Sequence, residues 1–156
     1  MLKLIYALFL GLLLATFVGV GVATFYHAPK YPDYPPELEQ TTPGQPSTSD
    51  QKLIDQKNRD DQKKYQADST RYNRNASTIV LAFAIIFLAL GLLLAHRIDI
   101  IADGLVLGGI FSLLYSIGRG FASDDVTYQF IVVSVAVVIA LVLGYLKFIK
   151  PSAKQT

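Results

Sequence analysis

Four long apolar runs constrain this chain more than any other feature of its sequence. An α-helix needs ~20 apolar residues to cross a bilayer core of about 30 Å. The runs extend from Leu4 to Tyr26, from Ser77 to Ala95, from Ile100 to Gly118 and from Phe130 to Ile149. We therefore predict an all-α integral membrane protein with four transmembrane helices, surrounded by a lipid bilayer.

The first run has two interpretations. Lys3 before it and the small residues Gly21 to Ala23 within it also fit a cleaved secretory signal peptide. Its apolar part is longer than the roughly 7–15 residues of a signal peptide's apolar region, which favours a retained helix. Residues 1–26 are then transmembrane helix 1, residues 27–76 form an extracytoplasmic segment, and residues 77–156 hold helices 2–4, short loops and a cytoplasmic tail.

The basic residues beside the runs predict the orientation. With the N-terminus inside, the basic residues on the cytoplasmic side agree with the positive-inside rule. They are Lys3, Arg97, Lys147, Lys150 and Lys154. Between His27 and Asn75, eight basic residues are balanced by eight acidic ones, although a few of the basic residues lie near the membrane and weaken the bias. We expect a cell-membrane protein with both termini cytoplasmic, and an organelle membrane is the alternative.

A charged helical stalk is predicted before the second run. No Gly or Pro interrupts the chain from Ser47 to Leu90. Thr48 and Gln51 fit a capping box at the start of this helix. Pairs of an acid and a base four residues apart, such as Asp55 and Arg59, stabilise a helix by about 0.3 kcal/mol each. The predicted stalk therefore runs from Ser49 to about Asn75 and leads into the second transmembrane helix.

Few apolar side chains lie on this stalk. Ile54, Tyr65 and Tyr72 fall on one narrow stripe at 100° per residue. The segment before the stalk holds six of the seven prolines, which favours an extended linker. The stripe is a candidate surface for a partner helix, for a second copy, or for this upstream segment of the same chain.

Small residues recur at every fourth position in the first and third runs. Small side chains let helix backbones approach closely in lipid, where association depends on packing. We predict that these two runs pack together, with contacts between subunits as the alternative. The candidate packing residues are Gly11, Ala15 and Gly19 in the first run and Gly104, Gly108 and Ser112 in the third.

Two acidic residues lie near the start of the third run. Asp99 and Asp103 are four residues apart and share a helix face. Asp103 lies about one turn deeper, where an ionisable group is costly and is a candidate for function. They form a candidate ion or proton site. The alternative is a cytoplasmic cap in which Asp103 pairs with Arg97 or His96.

The sequence contains no motif that specifies a reaction. The absence of Cys excludes disulfides and thiolate metal sites, and we predict no cofactor, no metal site and no enzymatic activity. No basic patch with interleaved aromatic residues points to nucleic acid. We expect an accessory or scaffolding subunit of a membrane or envelope assembly that acts through its stalk, as a homo-oligomer or with another membrane protein. The alternative is a small oligomeric transporter or channel that uses Asp103 and Asp99.

Overall fold

The chain forms four helices and no strand within the residues that the structure describes. The computed structural model describes residues 1–32 and 49–146, with side chains from residue 52 onward in the second range. All four helices are long and apolar enough to cross a membrane, which confirms the prediction of four such segments. They are α1 Leu2–Phe25, α2 Ser49–Leu94, α3 Asp99–Phe121 and α4 Val126–Gly144.

Helix α2 is continuous from the charged stretch into the second apolar run. It has 46 residues, which corresponds to about 69 Å at 1.5 Å per residue. The pair Asn73 and Asn75 does not interrupt it, because both side-chain amides bind groups on neighbouring elements rather than their own backbone. We call residues 49–71, which extend about 35 Å, the stalk.

Helix α3 is the centre of the bundle. It packs extensively against α1 and α2, whereas α4 lies against α3 more sparsely and α1 contacts α2 over a short stretch. The short connections make α2, α3 and α4 successively antiparallel. Helix α1 runs parallel to α3, because Leu10 lies at Gly104 and Gly19 lies near Tyr115, and it is therefore antiparallel to α2. The end of α1, the middle of α2, the end of α3 and the start of α4 therefore meet at one end of the bundle, which we call the stalk end.

The turn between α3 and α4 is tight and contains two aspartates with different roles. Asp124 has a φ of 51°, a left-handed conformation that Asp tolerates better than most residues. Asp125 is the N-cap of α4, and its carboxylate accepts a hydrogen bond of 3.1 Å from the Tyr128 amide. This turn places the start of α4 beside α2 at the stalk end.

Two clusters of buried apolar residues hold the bundle together. Near the stalk end, Val18 and Val22 of α1 pack on Ala76 and Val80 of α2. Deeper in the bundle, Ala84 and Leu88 of α2 pack on Leu113 of α3. Both clusters include α2, so the stalk and the core residues belong to one continuous helix.

Three sequence-based predictions lie outside the described residues. These are the extended form of the Pro-rich segment beyond Pro32, the capping box of Thr48 and Gln51, and the position of the lysines from Lys147 onward.

Candidate functional site

A polar junction joins the stalk to the bundle, and Arg119 of α3 is its central side chain. The guanidinium Nη1 donates a 2.9 Å hydrogen bond to Asn73 Oδ1, and Nη2 donates a 3.0 Å bond to the Tyr72 hydroxyl. Asn73 Nδ2 in turn donates to the Ala122 carbonyl at 2.9 Å. Two successive residues of α2 are therefore tied to the end of α3. We call Tyr26, Tyr72, Asn73 and Arg119 the stalk junction.

Helix α1 joins the same junction through an aromatic stack. The rings of Tyr26 and Tyr72 are 5.1 Å apart and nearly parallel. The Tyr26 hydroxyl accepts a 2.8 Å hydrogen bond from Asn75 Nδ2. The Arg119 guanidinium carbon lies 5.0 Å from the centroid of the Tyr72 ring, within the range of a cation–π contact. Three helices thus converge on the point where α2 leaves the bundle.

A pair of serines lies one turn below the junction. Ser77 Oγ donates to the Ser116 carbonyl at 2.8 Å, and Ser116 Oγ donates to the Ser77 carbonyl at 2.9 Å. Both side chains are completely buried. The reciprocal bonds hold α2 and α3 in close contact and satisfy both hydroxyls without water.

Helix α4 is attached to α2 at the stalk end. The Tyr128 hydroxyl donates to the Arg74 carbonyl at 2.9 Å and lies 2.8 Å from Thr78 Oγ1. Arg74 and Asp125 form a long ion pair of 3.8 Å, and such partly exposed pairs contribute ~0–1 kcal/mol. Asp125 thus pairs with Arg74, whereas Arg119, the other basic residue near this turn, binds the neutral groups of Tyr72 and Asn73.

The three residues of the candidate partner stripe have different surroundings. Tyr72 is buried in the junction, where another molecule cannot reach it. Tyr65 is partly buried and contacts Tyr31 edge-to-face at 5.0 Å between ring centroids. Ile54 is exposed near the tip, next to exposed Leu53. The chain's own upstream segment covers the lower part of the stripe, and the tip faces outward.

The small residues of α1 and α3 meet at a close crossing. A Cβ atom added to Gly11 would lie 2.8 Å from Leu107 Cβ and 3.0 Å from the backbone nitrogen of Gly108. Gly104 and Gly108 are in close contact with Leu10 and Leu14 in the same way. The other candidates are less confined or differ in role. A Cβ atom added to Gly19 would lie 3.8 Å from the Tyr115 ring. Ala15 is half-buried, and Ser112 is buried with its hydroxyl unbonded among the described residues.

The candidate acidic pair lies at the other end of the bundle. Asp99 is in the first turn of α3, and both Asp99 and Asp103 are exposed on the isolated chain. Asp103 lines a cavity of 880 Å³ between α1, α3 and α4, which we call the apolar cavity. Lys3 lines the same cavity, while Asp99 does not belong to its lining. The two aspartates are thus not equivalent.

Sequence reasoning missed the stalk junction. Arg119 follows the end of the third apolar run, and Tyr26 and Tyr72 lie in different segments, so nothing in the spacing links them. Two asparagines in the middle of a long helix are unusual because Asn has a low helix propensity. That pair was the available signal for a polar contact between helices.

No protein family, curated protein or solved structure shows a significant match to this chain.

Proposed function

We propose that this chain is a multi-pass membrane protein that acts as an accessory or scaffolding subunit of a membrane or envelope assembly through its stalk. The observation that carries the proposal is a stalk that is exposed along its upper part and anchored at its base. A binding element on a continuous helix stays at a defined height and direction, which is a useful property in an assembly subunit.

The surface of the stalk supports a role in binding. From Lys52 to Lys64, all described side chains are exposed except that of Asn58, which is half-buried. This stretch contains five basic and three acidic residues. The exposed apolar pair Leu53 and Ile54 lies near its tip. An apolar anchor surrounded by charged groups is a common arrangement at protein interfaces.

The base of the stalk supports a fixed orientation. Tyr72 and Asn73 are each held by Arg119, and Asn75 is held by Tyr26. These bonds lie where α2 leaves the bundle, so they resist bending at the position where a long helix would otherwise move most freely. The orientation of the stalk would then be coupled to the orientation of the four helices.

The proposed location is a cell membrane with the stalk outside and both termini cytoplasmic. The antiparallel arrangement supports this topology, because it puts Lys3 and Arg97 at the end opposite to the stalk. Basic residues prefer the cytoplasmic side of short loops and termini.

A deletion that preserves the helix phase tests the proposal. Removal of residues 52–62 takes out 11 residues, about 16 Å of stalk, and rotates the remainder by only ~20°. The deletion leaves the Tyr31–Tyr65 contact and the stalk junction unchanged. The matched control replaces Leu53 and Ile54 with Gln, which keeps the length and removes the apolar anchor.

The assay is extraction of the tagged chain in mild detergent, followed by native mass measurement and identification of stoichiometric partners. We expect one partner with the unmodified chain, loss of it with the deletion, and weaker retention with the Gln variant. A partner that stays bound to both variants, or no partner with the unmodified chain, would refute the proposal.

A further inference from the structure

We propose that one side of the stalk binds an acidic polypeptide, a segment of the partner subunit that is rich in Asp and Glu. This rests on the proposed function and adds the chemistry of the partner, since the proposed function requires only that the stalk binds a protein. The residues that carry the proposal are the basic side chains of the stalk from residue 52 onward, which we call the basic face. They are Lys52, Lys57, Arg59, Lys63, Lys64 and Arg71.

The chain's own segments occupy one side of the stalk. Tyr72 stacks on Tyr26, and Tyr65 contacts Tyr31 edge-to-face. Tyr65 and Tyr72 are seven residues apart, so at 100° per residue they point in nearly the same direction. A partner that binds along the stalk therefore approaches it from another side.

The basic residues lie away from these tyrosines. At 100° per residue, all six fall within a sector of about 160°, and the centre of this sector is about 150° from Tyr65 and Tyr72. The sector contains one carboxylate, that of Asp60. The other acidic residues between Lys52 and Arg71 lie on either side of the tyrosines; they are Asp55, Asp61 and Asp68. The stalk is thus strongly basic on one side, although its charges nearly balance in the sequence.

The charges of the basic face are not neutralised within the described part of the chain. All six side chains are exposed, and none of them forms an ion pair with another described residue. Arg59 and Lys63 are four residues apart, a spacing at which like charges repel and destabilise a helix. The face extends for about 28 Å along the helix. An anionic surface of similar length would remove this repulsion.

The height of the basic face argues against lipid headgroups as its ligand. Ser77 begins the second apolar run, and along the helix Lys64 lies about 20 Å and Lys52 about 38 Å from it. The Debye length is about 8 Å at physiological ionic strength, so the field of a charged membrane surface is screened over that distance. Of the six basic residues, Arg71 alone is within about 10 Å of Ser77 along the helix.

The composition of the face favours ionic contacts. Between Leu53 and Arg71, the one apolar side chain in the sector is that of Ala67. A partner helix would therefore find no continuous apolar seam of the kind that holds a coiled coil together. Lys and Arg side chains at several heights suit carboxylates that are spaced along a polypeptide. Leu53 lies in the same sector at the tip, so an acidic segment that ends in an apolar residue matches the whole face.

The first test uses the full chain in mild detergent and a poly-L-glutamate peptide of about 20 residues, which would span about 30 Å as a helix. Asp60→Lys and Asp61→Lys make the same change of charge at neighbouring positions, but Asp60 lies in the basic face and Asp61 lies toward the tyrosines. Each exposed ion pair contributes about a factor of two in affinity. We expect Asp60→Lys to strengthen peptide binding about fourfold, because it removes a repulsive carboxylate and adds an ammonium group. Asp61→Lys should change binding by less than about twofold.

A loss of charge tests the face from the opposite direction. Arg59→Gln combined with Lys63→Gln should weaken peptide binding about fourfold, since two ion pairs are lost. Helical circular dichroism checks that each variant is folded. Equal effects of Asp60→Lys and Asp61→Lys would show that net charge decides binding, and they would overturn the proposal. A clear preference for polyphosphate of equal charge over poly-L-glutamate would assign the face to a phosphate polymer and would also overturn it.

The second test examines the native partner by zero-length cross-linking. A carbodiimide joins a Lys amine to an Asp or Glu carboxylate as an amide, with loss of water. We expect cross-links from Lys52, Lys63 or Lys64 to acidic residues of the co-purified partner, mapped by peptide mass spectrometry. A partner that gives no such cross-link and stays bound when Arg59 and Lys63 are both replaced by Gln would refute the basic face and leave the proposed function standing. Peptide binding that follows the basic face, without any stoichiometric partner, would refute the proposed function and leave the face as an acid-binding surface.

Discussion

The crossing of α1 and α3 at Gly11 makes a sharp prediction about stability. The perturbation is Gly11→Ala, and Gly21→Ala in the same helix is its matched control. A Cβ on Gly11 would lie 2.8 Å from Leu107 Cβ, 3.0 Å from Gly108 N and 3.1 Å from Leu107 C. A Cβ on Gly21 would meet nothing within 4 Å. The sequence change is identical, and only the surroundings differ.

The expected magnitude follows from two terms. Two of the three atoms near Gly11 are backbone atoms, which cannot rotate away, so the helices must separate. Overpacking of this kind costs about 1–3 kcal/mol. Both variants gain helix propensity, since Ala is favoured over Gly by about 0.8–1.0 kcal/mol in a helix interior. The propensity gain cancels in the comparison, and the difference in unfolding free energy between the variants should be about 1–3 kcal/mol.

The assay is reversible unfolding in mild-detergent micelles with an increasing fraction of sodium dodecyl sulfate. Far-ultraviolet circular dichroism and tyrosine fluorescence both follow the transition. We expect Gly11→Ala to unfold at a lower dodecyl sulfate fraction than the original chain, and Gly21→Ala at an equal or higher one. If Gly11→Ala is as stable as Gly21→Ala, α1 and α3 do not approach each other as the structure describes.

Three further predictions concern the stalk end and the topology. In a double-mutant cycle of Ser77→Ala and Ser116→Ala, the free energies of unfolding should give a coupling energy of about 0.6 kcal/mol, up to about 1.7. Strictly additive losses of stability would contradict the reciprocal hydrogen bonds. Arg119→Met should broaden the distance distribution between spin labels on the stalk tip and on α4, relative to the unmodified chain, because it removes both guanidinium bonds. Equal widths would show that the junction does not orient the stalk. A single cysteine at exposed Gln66 should react with an impermeant thiol reagent added from outside, and one at exposed His96 should react only after permeabilisation. The reverse pattern would show that the topology is inverted.

The helices themselves could be predicted from the sequence because their causes are local. An apolar run long enough to cross a bilayer has few other stable structures, since every backbone group must be hydrogen-bonded within the helix. The stretch from Ser47 to Leu90 lacks Gly and Pro, and the described part of it is helical throughout. Both signals come from residues that are close in sequence, so a single sequence is enough to detect them.

The contacts between helices could not be predicted in the same way. Small residues indicate where a close approach is permitted, and they do not say which helix approaches. Gly11 is in close contact with α3, whereas a Cβ added to Gly19, eight residues later, would meet only the Tyr115 ring, at 3.8 Å. Gly109 lies outside the four-residue series of α3, yet it contacts Leu88 and Ala84 of α2. Which helix a small residue contacts depends on how its own helix is rotated about the axis, and contacts with residues distant in sequence determine that rotation.

The two ends of the bundle differ in a way that bears on function. At the stalk end, polar side chains from all four helices interlock, with Arg119 and Tyr128 as the central groups. At the other end, the apolar cavity lies between α1, α3 and α4. We therefore expect the direction of the stalk to depend on the polar contacts at the stalk end, and not on how closely α4 approaches α3 beside the apolar cavity.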